Sequence, residues 1–188
     1  MSTTQDPGTR PQMVTCLWFN GQAEEAAHFY VETFAGYRPS SHVDAVHRSS
    51  IDVAPEREVL LKRGEVLTVD FTLDGQRFVG LNGSQDPVPH TDAVSFQILC
   101  ENQQEVDHFA DALSSEGGRE VACGWVEDRY GVRWQVVPQV LLDLLAGGDS
   151  GTDQDAAARV QTAMMGMNRL SIEGLMDAAQ DAHGAQGE

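Results

Sequence analysis

The sequence predicts an α+β chain in which one run of elements occurs twice and a helical tail follows. Three observations predict it. The order strand, helix, several strands appears twice at a period of roughly eighty residues, with a proline-bearing connector between the copies. Asp74-Gly75 sits between two alternating apolar runs and reads as a hairpin turn. The stretch from Asp128 to Pro138 reads as a tight reversal at Gly131, then a Val- and Trp-rich strand that ends at a proline.

In chain order, residues 1–12 read as a disordered leader without the apolar core of a secretory signal. Met13 to Phe19 alternates with apolar groups on both faces, so it reads as a strand buried on both sides. Gln22 to Phe34 repeats Ala23, Ala26, Ala27, Tyr30 and Phe34 at helical spacing, with Glu24 and Glu25 in the first turn and Gly36 as the stop. Ser40 to Arg48 reads as an edge strand. Ser49 to Arg63 reads as a loop, either a lid or an ordinary surface segment. Glu65–Leu73 and Arg77–Leu81 form the hairpin, and residues 83–92 connect the halves.

The second copy begins with a strand over Ala93–Leu99. A helix over Gln103–Leu113 follows, with Val106, Phe109, Ala110 and Leu113 on one stripe, and Gly117-Gly118 stops it. Glu120–Val126 and Arg133–Val137 read as strands. Short helices are expected over Val140–Ala146, Asp153–Asn168 and Ser171–Ala179. Met164, Met165 and Met167 read as packing or as a soft ligand wall.

The chain has 188 residues, with Lys+Arg 12 against Asp+Glu 29 and a net charge of −17. That balance argues against nucleic acid and anionic membranes as partners. No stretch approaches the ~18 apolar residues of a membrane span. Cys16, Cys100 and Cys123 lie in or beside apolar runs and read as reduced core thiols, which points to a cytoplasmic location. The six histidines read as solvated surface groups.

The motifs Gln22-Ala23-Glu24-Glu25-Ala26-Ala27, Leu73-Asp74-Gly75-Gln76-Arg77-Phe78, Val94-Ser95-Phe96-Gln97, Cys123-Gly124-Trp125 and Trp134-Gln135-Val136-Val137-Pro138 occur in that order. Together they resemble the PhnB-like family of the glyoxalase, bleomycin-resistance and dioxygenase (vicinal oxygen chelate) superfamily. The resemblance implies two βαβββ modules, 13–83 and 92–138, forming an incomplete barrel over 13–138. A helical extension follows over 139–183. It also implies a homodimer and a small-molecule cleft.

Metal-using relatives would place ligands at Met13, Ser95 and Gln135, with Gln97 beside Ser95. A thioether, a hydroxyl and an amide do not supply what a hard divalent ion needs, so no metal and no cofactor are expected. The cleft that the resemblance implies would be lined by Thr15, Leu17, Ser95, Gln97 and Gln135, with Trp125, Trp134 and Asn82 nearby. Such a surface suits an apolar or aromatic metabolite, in antibiotic resistance or natural-product handling. The alternative is a metal-independent isomerase or rearrangement enzyme acting on a small oxygenated substrate. Its catalytic group would be Asp70, which reads either as a buried base or as a solvated hairpin residue. The family's methyltransferase label finds no support, because Gly80-Leu81-Asn82-Gly83 leads to prolines and not to a nucleotide-binding helix.

Overall fold

A computed structural model describes residues 13–53, 61–83, 88–149 and 154–180. The leader and the middle of the expected lid, 54–60, lie outside the described residues. The chain divides into two compact units, Met1–Val88 and Pro89–Glu188, and each is described by itself.

The first unit runs β1 (Thr15–Phe19), α1 (Ala23–Ala35), β2 (His42–Arg48), β3 (Val66–Leu73) and β4 (Gln76–Asn82), with sheet order β1-β4-β3-β2. β1 lies parallel to β4, and the other neighbours are antiparallel. The β3–β4 turn has positive φ at both Asp74 and Gly75, 48° and 79°. This is the twist that a two-residue hairpin needs, and Gly75 adopts it without a Cβ clash. The apolar stripe of α1 buries Ala23, Ala26, Ala27, Tyr30 and Phe34. Tyr30 packs on Phe71 and Phe71 on Phe78, at 6.1 and 5.3 Å between ring centroids. A Cβ on Gly80 would sit 3.2 Å from that of Ala23, so two small residues set how close helix and sheet come.

The second unit repeats the order: β5 (Phe96–Cys100), α2 (Gln103–Leu113), β6 (Arg119–Glu120), β7 (Trp125–Glu127) and β8 (Arg133–Pro138), arranged β5-β8-β7-β6. Each unit is therefore a βαβββ module with an open four-stranded sheet. Val106, Phe109 and Leu113 of α2 are fully buried, as are Val126, Trp134 and Val136 of the sheet.

The expected strand over Glu120–Val126 is broken. Ala122–Gly124 form a 3-10 turn in which Cys123 and Gly124 have positive φ. Their N–H groups donate to Met167 and Asn168 carbonyls, both at 2.7 Å. The tail thus supplies the partners that a strand neighbour would have supplied.

That tail is α3 (Gln139–Asp149), α4 (Gln154–Met165) and α5 (Ile172–Gln180). Val137, Leu141, Val160, Leu170 and Leu175 form its core, with Met164 and Met167 packed against it. Met165 is exposed. Ser171 caps α5, its Oγ accepting the Gly174 N–H at 3.1 Å.

Candidate functional site

Residues paired across a sheet share a face, and the face alternates along each strand. In the first sheet, Leu17, Phe19, Val69, Phe71, Phe78 and Asn82 point toward α1. The opposite face carries Cys16, Trp18, Val79, Leu81, Thr68, Asp70 and Thr72.

This corrects three expected lining residues. Leu17 is buried core. Thr15 shares its face, where Gln76 Nε2 approaches its hydroxyl at 3.5 Å. Asn82 closes the start of α1: its Oδ1 accepts the Ala23 N–H and its Nδ2 donates to the Val66 carbonyl, both at 3.0 Å. The strand is also not buried on both sides, since Cys16 and Trp18 are exposed. Cys16 is thus no core thiol, although the burial it keeps pushes its thiol pKa up.

Asp70 stands on the uncovered face and is not merely solvated. Its Oδ2 lies 3.1 Å from His47 Nε2, with side-chain exposures of 25% and 55%. Beside this pair, Thr72 Oγ1 donates to Asp44 Oδ2 at 2.9 Å, and Asp44 Oδ1 lies 3.2 Å from His42 Nε2. His42 and His47 are exposed, as expected, at 59% and 55%, and each also meets a carboxylate. At one end of the face the Trp18 indole lies against the Gly83 backbone, where a Cβ would come within 2.2 Å of the ring.

In the second sheet, the face turned from α2 carries Gln97, Leu99, Gln135 and Trp125, because Gln135 pairs with Gln97 on one side and Trp125 on the other. Gln135 Nε2 donates to Ser95 Oγ at 2.7 Å, and Gln97 Nε2 reaches Gln135 Oε1 at a long 3.4 Å. The structure therefore brings together Ser95, Gln97, Gln135 and Trp125.

Trp134 belongs elsewhere. It shares the α2 face with Phe96, at 5.4 Å between ring centroids, and is 2% exposed. Its Nε1–H donates to Asp128 Oδ2 at 2.8 Å. Asp128 Oδ1 in turn accepts the N–H groups of Tyr130 and Val132 at 2.8 and 3.0 Å. Trp134 is a core residue that locks the turn before β8.

The two sheets align row by row. Cys16, Val79 and Asp70 in the first occupy the places of Gln97, Gln135 and Trp125 in the second. A groove of about 590 Å³ opens where α2 and α5 begin, walled by Glu101, Asn102, Gln103, Ile172 and Met176 among others. It holds none of the expected residues, and two of its amides are spent on structure. Asn102 caps α2 and Gln103 ties down Leu170 and Ile172.

The family model for 3-demethylubiquinone-9 3-methyltransferase matches residues 11–137. The chain belongs to that family. Among solved structures it is similar to the PhnB protein of Bacillus cereus, 28% identical, with a TM-score of 0.55, covering 68% of this chain and 99% of that one. Protein PA1353 of Pseudomonas aeruginosa is 18% identical with a TM-score of 0.53, covering 69% and 98%. A possible glyoxalase from Bacillus cereus overlaps more loosely, at 13% identity and a TM-score of 0.37, covering 66% and 96%. No curated protein matches the chain. Family and fold are thus those of the matching model and of the PhnB protein.

The residues at the expected ligand positions do not fit a metal ion. Met13 lies outside β1 and is 90% exposed, and Gln135 already engages Ser95 and Gln97. Among the described residues no group of three or more His, Cys, Asp or Glu side chains is placed to hold an ion. No described helix is long and apolar enough to cross a membrane.

Proposed function

We propose that this protein binds a small planar, apolar or aromatic metabolite on the face of the β5-β8-β7-β6 sheet turned from α2. On this reading it binds without a resident metal. The observation that carries the reading is the row Gln97–Gln135–Trp125 with Ser95 hydrogen-bonded to Gln135. An indole beside two amides and a hydroxyl offers a flat apolar surface plus donors and acceptors at its edge. The neutral donor set supports metal independence, because an amide and a hydroxyl are poor ligands for zinc and too few for calcium or magnesium. We further propose a cytoplasmic homodimer that sequesters or carries its ligand, as in resistance to an aromatic natural product.

Methyl transfer is not part of this reading. The two glycines that would suggest a nucleotide turn are spent on packing, Gly80 against Ala23 and Gly83 beneath Trp18. The test is a thermal-shift screen of planar hydroxylated aromatics, with metal content measured on the same sample. Stabilisation by such a compound in a metal-free sample supports the proposal. Tightly held stoichiometric zinc, nickel or manganese overturns it. The competing reading, an enzyme built on Asp70, is favoured by one observation, the His47 contact.

A further inference from the structure

We propose that His47 is a general base on the uncovered face of the first sheet, with Asp70 as its positioning residue. The inference concerns the first unit alone and does not rest on ligand binding at Gln135.

A carboxylate only accepts hydrogen bonds, so the 3.1 Å contact requires the proton on His47 Nε2. In the neutral imidazole this leaves Nδ1 as the lone-pair nitrogen. Asp70 then stabilises the imidazolium that forms when Nδ1 takes a proton, which is the part a carboxylate plays behind a catalytic histidine.

Three features separate this from an ordinary surface pair. Asp70 stands between fully buried Val69 and Phe71, in a sheet interior where aspartate is disfavoured. The strand pairing places it in the middle of the uncovered face, in the row equivalent to Gln97–Gln135–Trp125. The same face carries an exposed indole, Trp18, and the thiol of Cys16, both on β1 at the opposite edge of the sheet. The charged and titratable groups around His47 are Asp70 on β3, His42, Asp44 and Arg48 on its own strand, and Glu24 of α1, which pairs with Arg48. The substrate class is a small planar carbon or oxygen acid.

The probe is 5-nitrobenzisoxazole. His47 Nδ1 would take the ring C–H proton. The C–H electron pair becomes the third bond of a nitrile, the N–O bond breaks, and the oxygen leaves with its pair as a coloured cyanonitrophenolate. No oxidant or metal is needed. The intact chain is expected to outpace free imidazole at equal concentration. His47→Gln should lower that rate on the order of 10²-fold. Asp70→Asn should also lower it, and Asp70→Glu should recover part of it. Asp70→Asn should in addition shift the lower limb of the pH–rate profile, which a purely structural role would not move. A wild-type rate no higher than imidazole, or an unchanged rate in His47→Gln, overturns the proposal. Nitrogen NMR of His47 in the unmutated chain keeps the test decisive if a variant misfolds. The proposal requires the Nε2–H tautomer, and an Nδ1–H tautomer overturns it.

Discussion

Asp128 ties the turn before β8 to the core of the second unit. It is 2% exposed, and it holds two backbone N–H groups of its own turn and the indole N–H of Trp134. Removing the carboxylate strands two buried donors, on Val132 and Trp134, and the part-buried N–H of Tyr130. Asp128→Ala is therefore expected to cost about 3 kcal/mol, read as a lower urea midpoint at unchanged slope. Glu127 makes a different prediction. Burial alone would raise its carboxyl, but hydrogen bonds and charge from Arg119 and Arg133 outweigh that and hold it below the ordinary value. Its stabilising contribution is complete above the unfolded value, near pH 4.3, and is lost as pH falls through the lower folded value. Urea titrations of Glu127→Gln should show a flatter loss of stability below about pH 4.3 than wild type.

At the scale of elements, the first sheet depends on how its ends are closed. Asn82 at the end of β4 supplies the acceptor for the first turn of α1, so strand and helix are fixed together. Asn82→Ala should lower stability by about 1–2 kcal/mol, measured by thermal melting, with the fold retained. Gly83→Ala should displace the Trp18 indole from the strand end, seen as a red shift in tryptophan emission if the ring becomes more exposed.

Elements were more legible than faces. The hairpin, both long helices and the doubled order follow from period, turn residues and glycine stops. The phase of β1 did not, because Met13 to Phe19 is apolar on both sides and alternation alone assigns no inside. The duplication held the missing signal. Phe96-Gln97-Ile98-Leu99-Cys100 aligns with Thr15-Cys16-Leu17-Trp18-Phe19, so Gln97 matches Cys16 and not Thr15 or Leu17. Trp134 was misplaced for a related reason. It adjoins Gln135 in sequence, and adjacent strand residues face opposite ways. The His47–Asp70 contact was hidden by an irregular register between β2 and β3. The broken strand at Ala122–Gly124 was hidden because its partners come from the tail, more than forty residues on.

On the scale of the whole molecule, the tail is bound to the second unit by charge as well as by its apolar core. Arg169 donates to Glu120, Asp111 and Asp107, on β6 and α2. Those partners hold its guanidinium firmly protonated against the burial that opposes it. In a chain of net charge −17, one arginine offsets three carboxylates that would otherwise repel. Arg169→Met should cost about 1–2 kcal/mol, because the groups are partly exposed. It should also speed proteolytic cleavage between α4 and α5.

On the proposed reading, recognition lies on the second sheet's face turned from α2 and needs no ion. The most direct measurement is calorimetric titration of a planar hydroxyanthraquinone into chelator-treated wild type and Gln135→Leu. The account predicts that binding survives the chelator and weakens at least about tenfold in Gln135→Leu, the worth of a lost buried hydrogen bond. Binding that appears only when a divalent ion is restored, or that is equal in the two proteins, would contradict it.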